Sequence, residues 1–236
     1  MALRLLLPVA LAAAVALPAA TGTASSRTIS FSGYTWQVKV SSGRVGPGPN
    51  VFSDSQKNVW VDTQGRLHLK ITHDRGRWPC AEIVNAQSLG YGTYTFALDS
   101  PVDSLDQNVT LGLFTWSDDP AYAHRELDVE FARWGTAADP TNAQFVVQPY
   151  DAPGHLLRIT QSAAASSTAS FAWRPGSVAF AASAASPSSW TYTGADVPVP
   201  GDERARLNLW LFRGAPPANG KPVEVVVRSF SFAPAT

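Results

Sequence analysis

The feature that most constrains the fold is how often turn-forming residues interrupt the chain. Gly, Pro, Ser, Asn and Asp recur at intervals of roughly 8–12 residues, the spacing found in β-sandwiches and barrels. No long run with the 3.6-residue period of a helix follows residue 24. The pattern predicts an all-β protein with little helix. The clearest candidate strands are 34–40, 59–62, 67–73, 93–98, 109–116, 127–131, 144–148, 156–160, 207–212 and 223–232.

The first 24 residues have the composition of a secretory signal peptide. Arg4 provides a positive start, an apolar run covers 5–18, and the small residues 22–24 form a cleavage signal. The apolar run is too short to span a bilayer. We therefore expect a secreted, extracellular protein in which residues 25–236 form one domain, and we expect that domain to be a monomer.

Charge and cysteine content argue against several classes of function. Cleavage near Ala24 would leave 17 basic and 18 acidic residues, a balance that favours neither nucleic acid nor a membrane as a partner. Cys80 is the sole cysteine, so no internal disulfide can form and stability must come from the core. No phosphate-cradling loop, serine-hydrolase elbow or zinc-ligand spacing occurs, and we expect no cofactor.

Three acids alternate with apolar residues within one short segment. In a strand, Glu126, Asp128 and Glu130 would share one face, with the apolar residues on the other. Like charges on one face repel, so this row should destabilise the fold unless a function requires it. A solvated strand face that carries acids at alternate positions is the alternative. The apolar residues between and after the acids are Leu127, Val129 and Phe131.

Such a row suits cleavage of a glycosidic bond, which needs two carboxyl groups beside the bond. The two groups lie about 5–5.5 Å apart in retaining enzymes and roughly 6.5–9.5 Å apart in inverting ones. Glu126 and Glu130 would be about 13 Å apart at their Cα atoms, and side chains leaning together on a concave face could reach the retaining distance. Asp128 between them would help to keep one glutamate protonated near neutral pH.

The chain contains eight tryptophans, which is a high number for its length. Flat aromatic faces pack against pyranose rings in sugar-binding clefts, whereas packing in the core or at the rim is the alternative for each residue. Trp116 and Trp134 flank the acid row, and Trp210 follows the polar Asn208. These three tryptophans are therefore the candidates for contact with sugar.

Several segments, taken in order, resemble glycoside hydrolase family 16, the jelly-roll β-glucanase family. The order holds from about residue 30 to residue 232, and the acid row is its most specific part. The row is similar to that of lichenases and xyloglucan transferases, because it lacks the extra residue found in laminarinases. The resemblance implies a concanavalin A-like sandwich of two curved antiparallel sheets with a cleft on the concave face. The segments that carry it are 80–83, 90–94, 111–116, 126–131, 144–145, 171–176 and 208–210.

The resemblance also implies residue roles. Glu126 would be the nucleophile and Glu130 the general acid/base of a retaining endo-β-glycanase, with Asp128 assisting between them. The implied partner is a polysaccharide substrate, with a β-1,3/1,4-glucan as first choice. The chain departs from the family pattern at Val84, Val146 and Val147, around the acids rather than at them. The expected substrate contacts are Glu82, Trp116, Trp134, Gln148, Asn208 and Trp210.

Some alternatives remain open at the level of sequence. A lectin-like jelly roll that binds carbohydrate without turnover is the main rival, and an exported structural protein without a sugar site is another. The same three acids could catalyse transglycosylation as well as hydrolysis. Members of the family often hold a structural Ca²⁺ ion through loop oxygens, but no such ligands can be located in this sequence, and we assign no metal.

Overall fold

Two antiparallel sheets make up the fold. The structure is a computed structural model that describes residues 27–236, so the predicted signal peptide lies outside the described residues. Two short 3₁₀ turns, Ala121–Arg125 and Phe212–Gly214, accompany the strands. The strands are β1 Thr28–Phe31, β2 Tyr34–Val38, β3 Val59–Val61, β4 Leu67–Ile71, β5 Ala81–Asn85, β6 Gly92–Leu98, β7 Val109–Trp116, β8 Leu127–Phe131, β9 Ala143–Val147, β10 Leu156–Ile159, β11 Ser167–Arg174, β12 Ser177–Ser183, β13 Ser188–Thr193, β14 Arg204–Leu211 and β15 Val223–Pro234.

The order of the strands is that of a jelly roll. One sheet has eight strands in the order β1-β2-β5-β14-β7-β8-β9-β10, and the other has seven in the order β13-β12-β11-β6-β15-β4-β3. Neighbours that are distant in sequence, such as β14 beside β5 and β7, show that the chain crosses repeatedly between the sheets. The predicted all-β jelly-roll sandwich is confirmed.

The hydrophobic core fills the space between the sheets and takes alternate residues from each strand. In β11, the inward positions end with Phe171 and Trp173, and the residues between them are only half-buried. Burial of apolar surface contributes about 25 cal/mol per Å², which stabilises a fold without a disulfide. Burial also raises the pKa of the Cys80 thiol to about 12, so Cys80 stays protonated within the core.

The weak periodicity of two Ala/Ser-rich segments, 163–170 and 181–189, predicts loop or edge-strand material. The prediction holds for most of 181–189, which contains the connection between β12 and β13 and the start of the edge strand β13. The prediction is wrong for the second half of 163–170, because β11 begins at Ser167 and lies between β6 and β12, inside the seven-stranded sheet. Alanine has a low β-propensity, so the local sequence gave little sign of a strand. Burial of alternate small residues against the facing sheet decides the outcome.

The acid row occupies the predicted position in the sheet. β8 lies between β7 and β9 in the eight-stranded sheet, and Glu126 has extended backbone dihedrals immediately before it. The apolar residues of β8 are buried in the core. The three acids therefore point away from the core, onto the outer face of the eight-stranded sheet. The buried apolar residues are Leu127, Val129 and Phe131.

Candidate active site

A cavity of about 450 Å³ lies on the outer face of the eight-stranded sheet. The structure brings seven of the nine predicted site residues together in its wall. Trp134 and Gln148 are not among the residues that line it. The seven are Glu82, Trp116, Glu126, Asp128, Glu130, Asn208 and Trp210.

The floor of the cavity is a row of residues that are paired across five strands. Glu82 on β5 pairs with Asn208 on β14, which pairs with Gly112 on β7. Gly112 in turn pairs with Glu130 on β8, and Glu130 with Gln144 on β9. A Cβ atom at Gly112 would lie only 2.5 Å from Asn208 Oδ1. The register thus places two predicted contact residues and one predicted catalytic residue in one line.

Burial raises the pKa of all three carboxyl groups of the acid row. The neighbouring carboxylates raise the pKa further, Glu130 acting on Glu126, and both glutamates acting on Asp128. Asp128 is only 3% exposed, and a hydrogen bond between Asp128 and Glu126 raises the pKa of Asp128 and lowers that of Glu126. The proton of this pair therefore belongs on Asp128. The pKa of Glu126 is raised to about 8 and that of Glu130 to about 7, so both glutamates titrate near neutral pH, and Asp128 holds its proton in preference to Glu126.

A chain of hydrogen bonds orients Glu130 from the side of β9. Gln144 Nε2 donates to Glu130 Oε2 at 2.7 Å. The carbonyl oxygen of the same amide accepts hydrogen bonds from Trp134 Nε1 at 3.1 Å and Arg158 Nη1 at 3.3 Å. These two donors fix which end of the amide faces Glu130. Trp134 thus contacts the site through Gln144, and direct contact of Trp134 with a sugar stays a prediction.

Gln148 supports the acid row from the end of β9, the strand beside β8. Its backbone N–H donates to the carbonyl oxygen of Glu126, and its side-chain Nε2 donates to Asp128 Oδ2 at 3.1 Å. The second bond lowers the pKa of Asp128, against the larger effect of burial. Gln148 therefore holds Asp128 in place, and its contact with substrate also stays a prediction.

Two cations that sequence reasoning missed flank Glu82. Glu82 is 1% exposed and accepts hydrogen bonds from Lys39 Nζ at 2.8 Å and from Arg206 Nη1 at 3.2 Å. Lys39 and Arg206 both line the cavity. The positive charge of Arg206 also lowers the pKa of Glu126. The carboxylate of Glu82 is therefore engaged with two cations that themselves face the cavity.

Trp116 is partly covered by a loop residue. The ring of His124 stacks on it at 4.2 Å between centroids, with an angle of 7° between the planes, and His124 Nδ1 lies 2.9 Å from the carbonyl oxygen of Ser117. His124 has a positive φ angle of 61°, in a run of left-handed residues that leads into Glu126. One face of the Trp116 indole is thus taken by protein, and the remaining ring surface is what a sugar could contact.

Two further properties concern metals and membranes. Among residues 27–236, no group of three or more His, Cys, Asp and Glu side chains is placed to hold a metal ion. That described part of the chain also contains no helix with the length and apolarity needed to cross a membrane.

Solved structures of β-glucanases have the same fold. The β-glucanase of Bacillus licheniformis is 21% identical, with a TM-score of 0.66, and the match covers 90% of this chain and 100% of that one. A β-1,3-1,4-glucanase (lichenase) from a mouse hindgut metagenome is 22% identical, with a TM-score of 0.65 and coverages of 85% and 93%. An immunostimulatory antigen and pseudo β-1,3-glucanase of Mycobacterium tuberculosis is 20% identical, with a TM-score of 0.65 and coverages of 85% and 91%.

The comparisons by sequence, unlike those by structure, find no match. No protein-family model matches the chain, and no curated protein does. The structural likeness therefore shows the jelly-roll fold of these β-glucanases, as the resemblance of the sequence predicted.

The hydrogen bond from Gln144 to Glu130 gives a prediction about the pH dependence of activity. Gln144→Leu removes the hydrogen bond that lowers the pKa of Glu130, so that pKa should rise. If Glu130 must be protonated to act, the alkaline limb of kcat/KM moves to higher pH, by roughly one unit for one lost charge-assisted bond. The measurement is the pH profile for hydrolysis of a soluble β-glucan.

The control for this prediction is Gln64→Leu, which changes an exposed glutamine in a turn preceding β4. Its profile should coincide with that of the parent protein. An alkaline limb that stays in place, or moves to lower pH, in Gln144→Leu would show that Gln144 does not set the protonation of the acid.

Proposed function

We propose that the chain is a member of glycoside hydrolase family 16 and acts as a secreted, retaining endo-β-glycanase on a polysaccharide. The observation that carries the proposal is the row of three neighbouring carboxyl groups on the cavity floor, whose pKa values are all raised by burial. Three acids crowded together on one strand destabilise a fold, so they need a use such as acid/base chemistry. We further propose that residues 25–236 form one domain that is exported and monomeric.

The mechanism assigns one role to each acid. Glu126, ionised with help from Arg206, attacks the anomeric carbon while Glu130 donates a proton to the leaving glycosidic oxygen. A covalent glycosyl–enzyme forms, and the aglycone leaves. Glu130, now ionised, then takes a proton from water, and the water displaces Glu126 from the same carbon. Asp128 donates its hydrogen bond to Glu126 and so modulates the charge of the nucleophile at each step.

A β-glucan with 1,3 or 1,4 linkages, or both, is the proposed substrate. The similar solved structures are described as β-glucanases, a β-1,3-1,4-glucanase and a pseudo β-1,3-glucanase. Trp210, which is 8% exposed, and the part of Trp116 that His124 leaves uncovered both line the cavity and are the proposed aromatic contacts for pyranose rings. Asn208 offers polar groups between them. The same acids would also support transglycosylation if a sugar hydroxyl replaced water.

The rival function is carbohydrate binding without turnover. One structure with this fold is itself described as a pseudo-glucanase, so the fold alone does not require catalysis. The three valines that depart from the family pattern, and the engagement of Glu82 with two cations, alter the surroundings of the acids. A pure binder, however, gains nothing from carboxyl groups whose pKa values are held up by burial. The departures are Val84, Val146 and Val147.

The experiment that tests the proposal uses the mature protein and a panel of polysaccharides. Mixed-linkage β-glucan, β-1,3-glucan, xyloglucan, agar and carrageenan are incubated with it, and new reducing ends are measured. We expect release from a β-glucan, with the first-formed products in the β configuration by NMR. Inverted products would contradict the retaining mechanism. Binding to one polysaccharide without release from any of them would favour the lectin-like rival.

A further inference from the structure

A second cavity of about 470 Å³ lies outside the catalytic cavity. Its volume falls within the range of about 300–1,000 Å³ that is typical of ligand sites. It is formed where the loop 43–50, the turn before β5 and the end of β14 meet. The residues that matter for its chemistry are Arg44, Asn50, Arg77 and Trp78.

The charge of this cavity is entirely positive. Arg44 and Arg77 both line it, and no acidic residue does. Both arginines are exposed, and among residues 27–236 neither forms a salt bridge. By contrast, Arg206 and Lys39 in the catalytic cavity are both paired with Glu82. Two guanidinium groups, each able to bind an oxyanion through two parallel hydrogen bonds, are thus left free in one cavity.

Besides the two arginines, the cavity has an aromatic side chain that could pack against a sugar ring. Trp78 is half-buried, packs against the core and stacks on His73 at 4.5 Å between ring centroids. The stacking on one side restricts the indole, and the part of Trp78 that lines the cavity is open to a ligand. A restrained indole beside two free arginines suits a flat pyranose that carries a negative group.

The second cavity adjoins the catalytic cavity across the loop 43–50. Gly46 and Pro47 line the catalytic cavity, whereas Arg44 and Pro49 line the second one. Asn50, which is 3% exposed, donates hydrogen bonds to the carbonyl oxygens of Pro47 and Leu211, so the loop is fastened to the end of β14. A polymer that continues past this fixed loop reaches Arg44, Arg77 and Trp78.

We propose that the cavity at Arg44, Arg77 and Trp78 is an accessory binding site for a sugar unit with a carboxylate or sulfate group, on the polysaccharide held in the catalytic cavity. The inference rests on the proposed function only in taking the ligand to be a segment of that polysaccharide. The arginines bind the acidic group, and Trp78 packs against the ring. Among β-glucans, the site therefore favours chains that carry acidic substituents.

The test compares binding of two oligosaccharide fractions of equal length, long enough to extend past the loop 43–50. One is an unmodified β-glucan, and the other is the same glucan oxidised at C6 to carry carboxylates. Dissociation constants are measured by calorimetry in a Glu126→Gln background, so that turnover does not interfere. We expect the oxidised glucan to bind more tightly, with a preference that weakens as salt is raised because the arginines are exposed.

The decisive variant is Arg44→Gln/Arg77→Gln in the same background. The dissociation constant of the unmodified glucan divided by that of the oxidised glucan measures the preference for carboxylates. This ratio should fall about tenfold, which corresponds to the loss of one charge-assisted contact. Lys57→Gln/Lys221→Gln removes the same net charge from exposed lysines outside both cavities, and it should leave the ratio unchanged. Melting temperatures of both variants show that the fold is kept, and Trp78→Ala tests the aromatic contact separately.

Three outcomes overturn the proposal. The first is equal affinity for the two glucans before any arginine is changed. The second is a preference that survives Arg44→Gln/Arg77→Gln, which would move the anion site to Lys39 and Arg206. The third is an equal loss of the preference in Lys57→Gln/Lys221→Gln, which would show that the preference depends only on the net charge of the protein. Failure of the proposed function is recognised separately, because it appears as an absence of new reducing ends with unaltered protein.

Discussion

Glu126→Gln is expected to lower hydrolysis of the preferred β-glucan by about 10⁴-fold or more, with binding of the glucan retained. The amide has nearly the shape of the carboxyl group, so the cavity wall is kept, but it cannot attack the anomeric carbon. The hydrogen bond from Asp128 can still be accepted by the amide oxygen. Turnover is measured as new reducing ends, and binding by calorimetry on the same oligosaccharide.

The matched control for this loss is Glu224→Gln. Glu224 lies on β15 in the other sheet, where it pairs with Lys70 and His68. Its replacement should leave turnover close to that of the parent protein at neutral pH. Parental rates in Glu126→Gln would remove the nucleophile assignment, whereas loss of both binding and turnover would point to a damaged cavity.

Glu130→Gln should separate substrates by the quality of their leaving group. Without a proton donor, hydrolysis of the natural glucan should fall by about 10²–10⁴-fold, the usual contribution of a general acid. An aryl glycoside with an activated leaving group needs little protonation, so its first step should lose much less. The comparison of kcat/KM for the two substrates measures this difference. Equal losses on both would show that Glu130 is not the acid/base.

The acid row shows how far a local pattern can predict a site. Alternation with a period of two placed Glu126, Asp128 and Glu130 on one face, and in the structure all three line the cavity while their apolar neighbours enter the core. The prediction succeeds because one residue of slippage would bury three acids and expose three large apolar side chains. Strand register is strongly specified in such a case.

The partners of these acids could not be found in the same way. Lys39 reaches the site through the pairing of β2 with β5, and Gln144 through the register between β8 and β9, and no local pattern encodes either pairing. Arg206 is different, because it stands two residues before Asn208, itself two before Trp210. Both later residues were predicted to contact substrate, so the same period of two carried a signal for Arg206 that was missed.

Trp116 illustrates a second limit of sequence reasoning. Its position beside the acid row predicted a surface for sugar, and the residue does line the cavity. The stacking of His124 on one face depends on the left-handed backbone of the turn before Glu126. Residues other than glycine rarely adopt that conformation, so the sequence gave no reason to expect it.

Gly112 allows the Asn208 amide to lie directly against β7. Since Gly112 carries no side chain, Asn208 Oδ1 occupies the space beside it and accepts a hydrogen bond from the Gly112 N–H at 3.1 Å. A methyl group at this position would come within 2.5 Å of Asn208 Oδ1 and would push the amide toward the opening of the cavity. In the proposed reaction, the missing side chain at position 112 therefore keeps the surface next to Glu130 low enough for a pyranose to approach the proton donor.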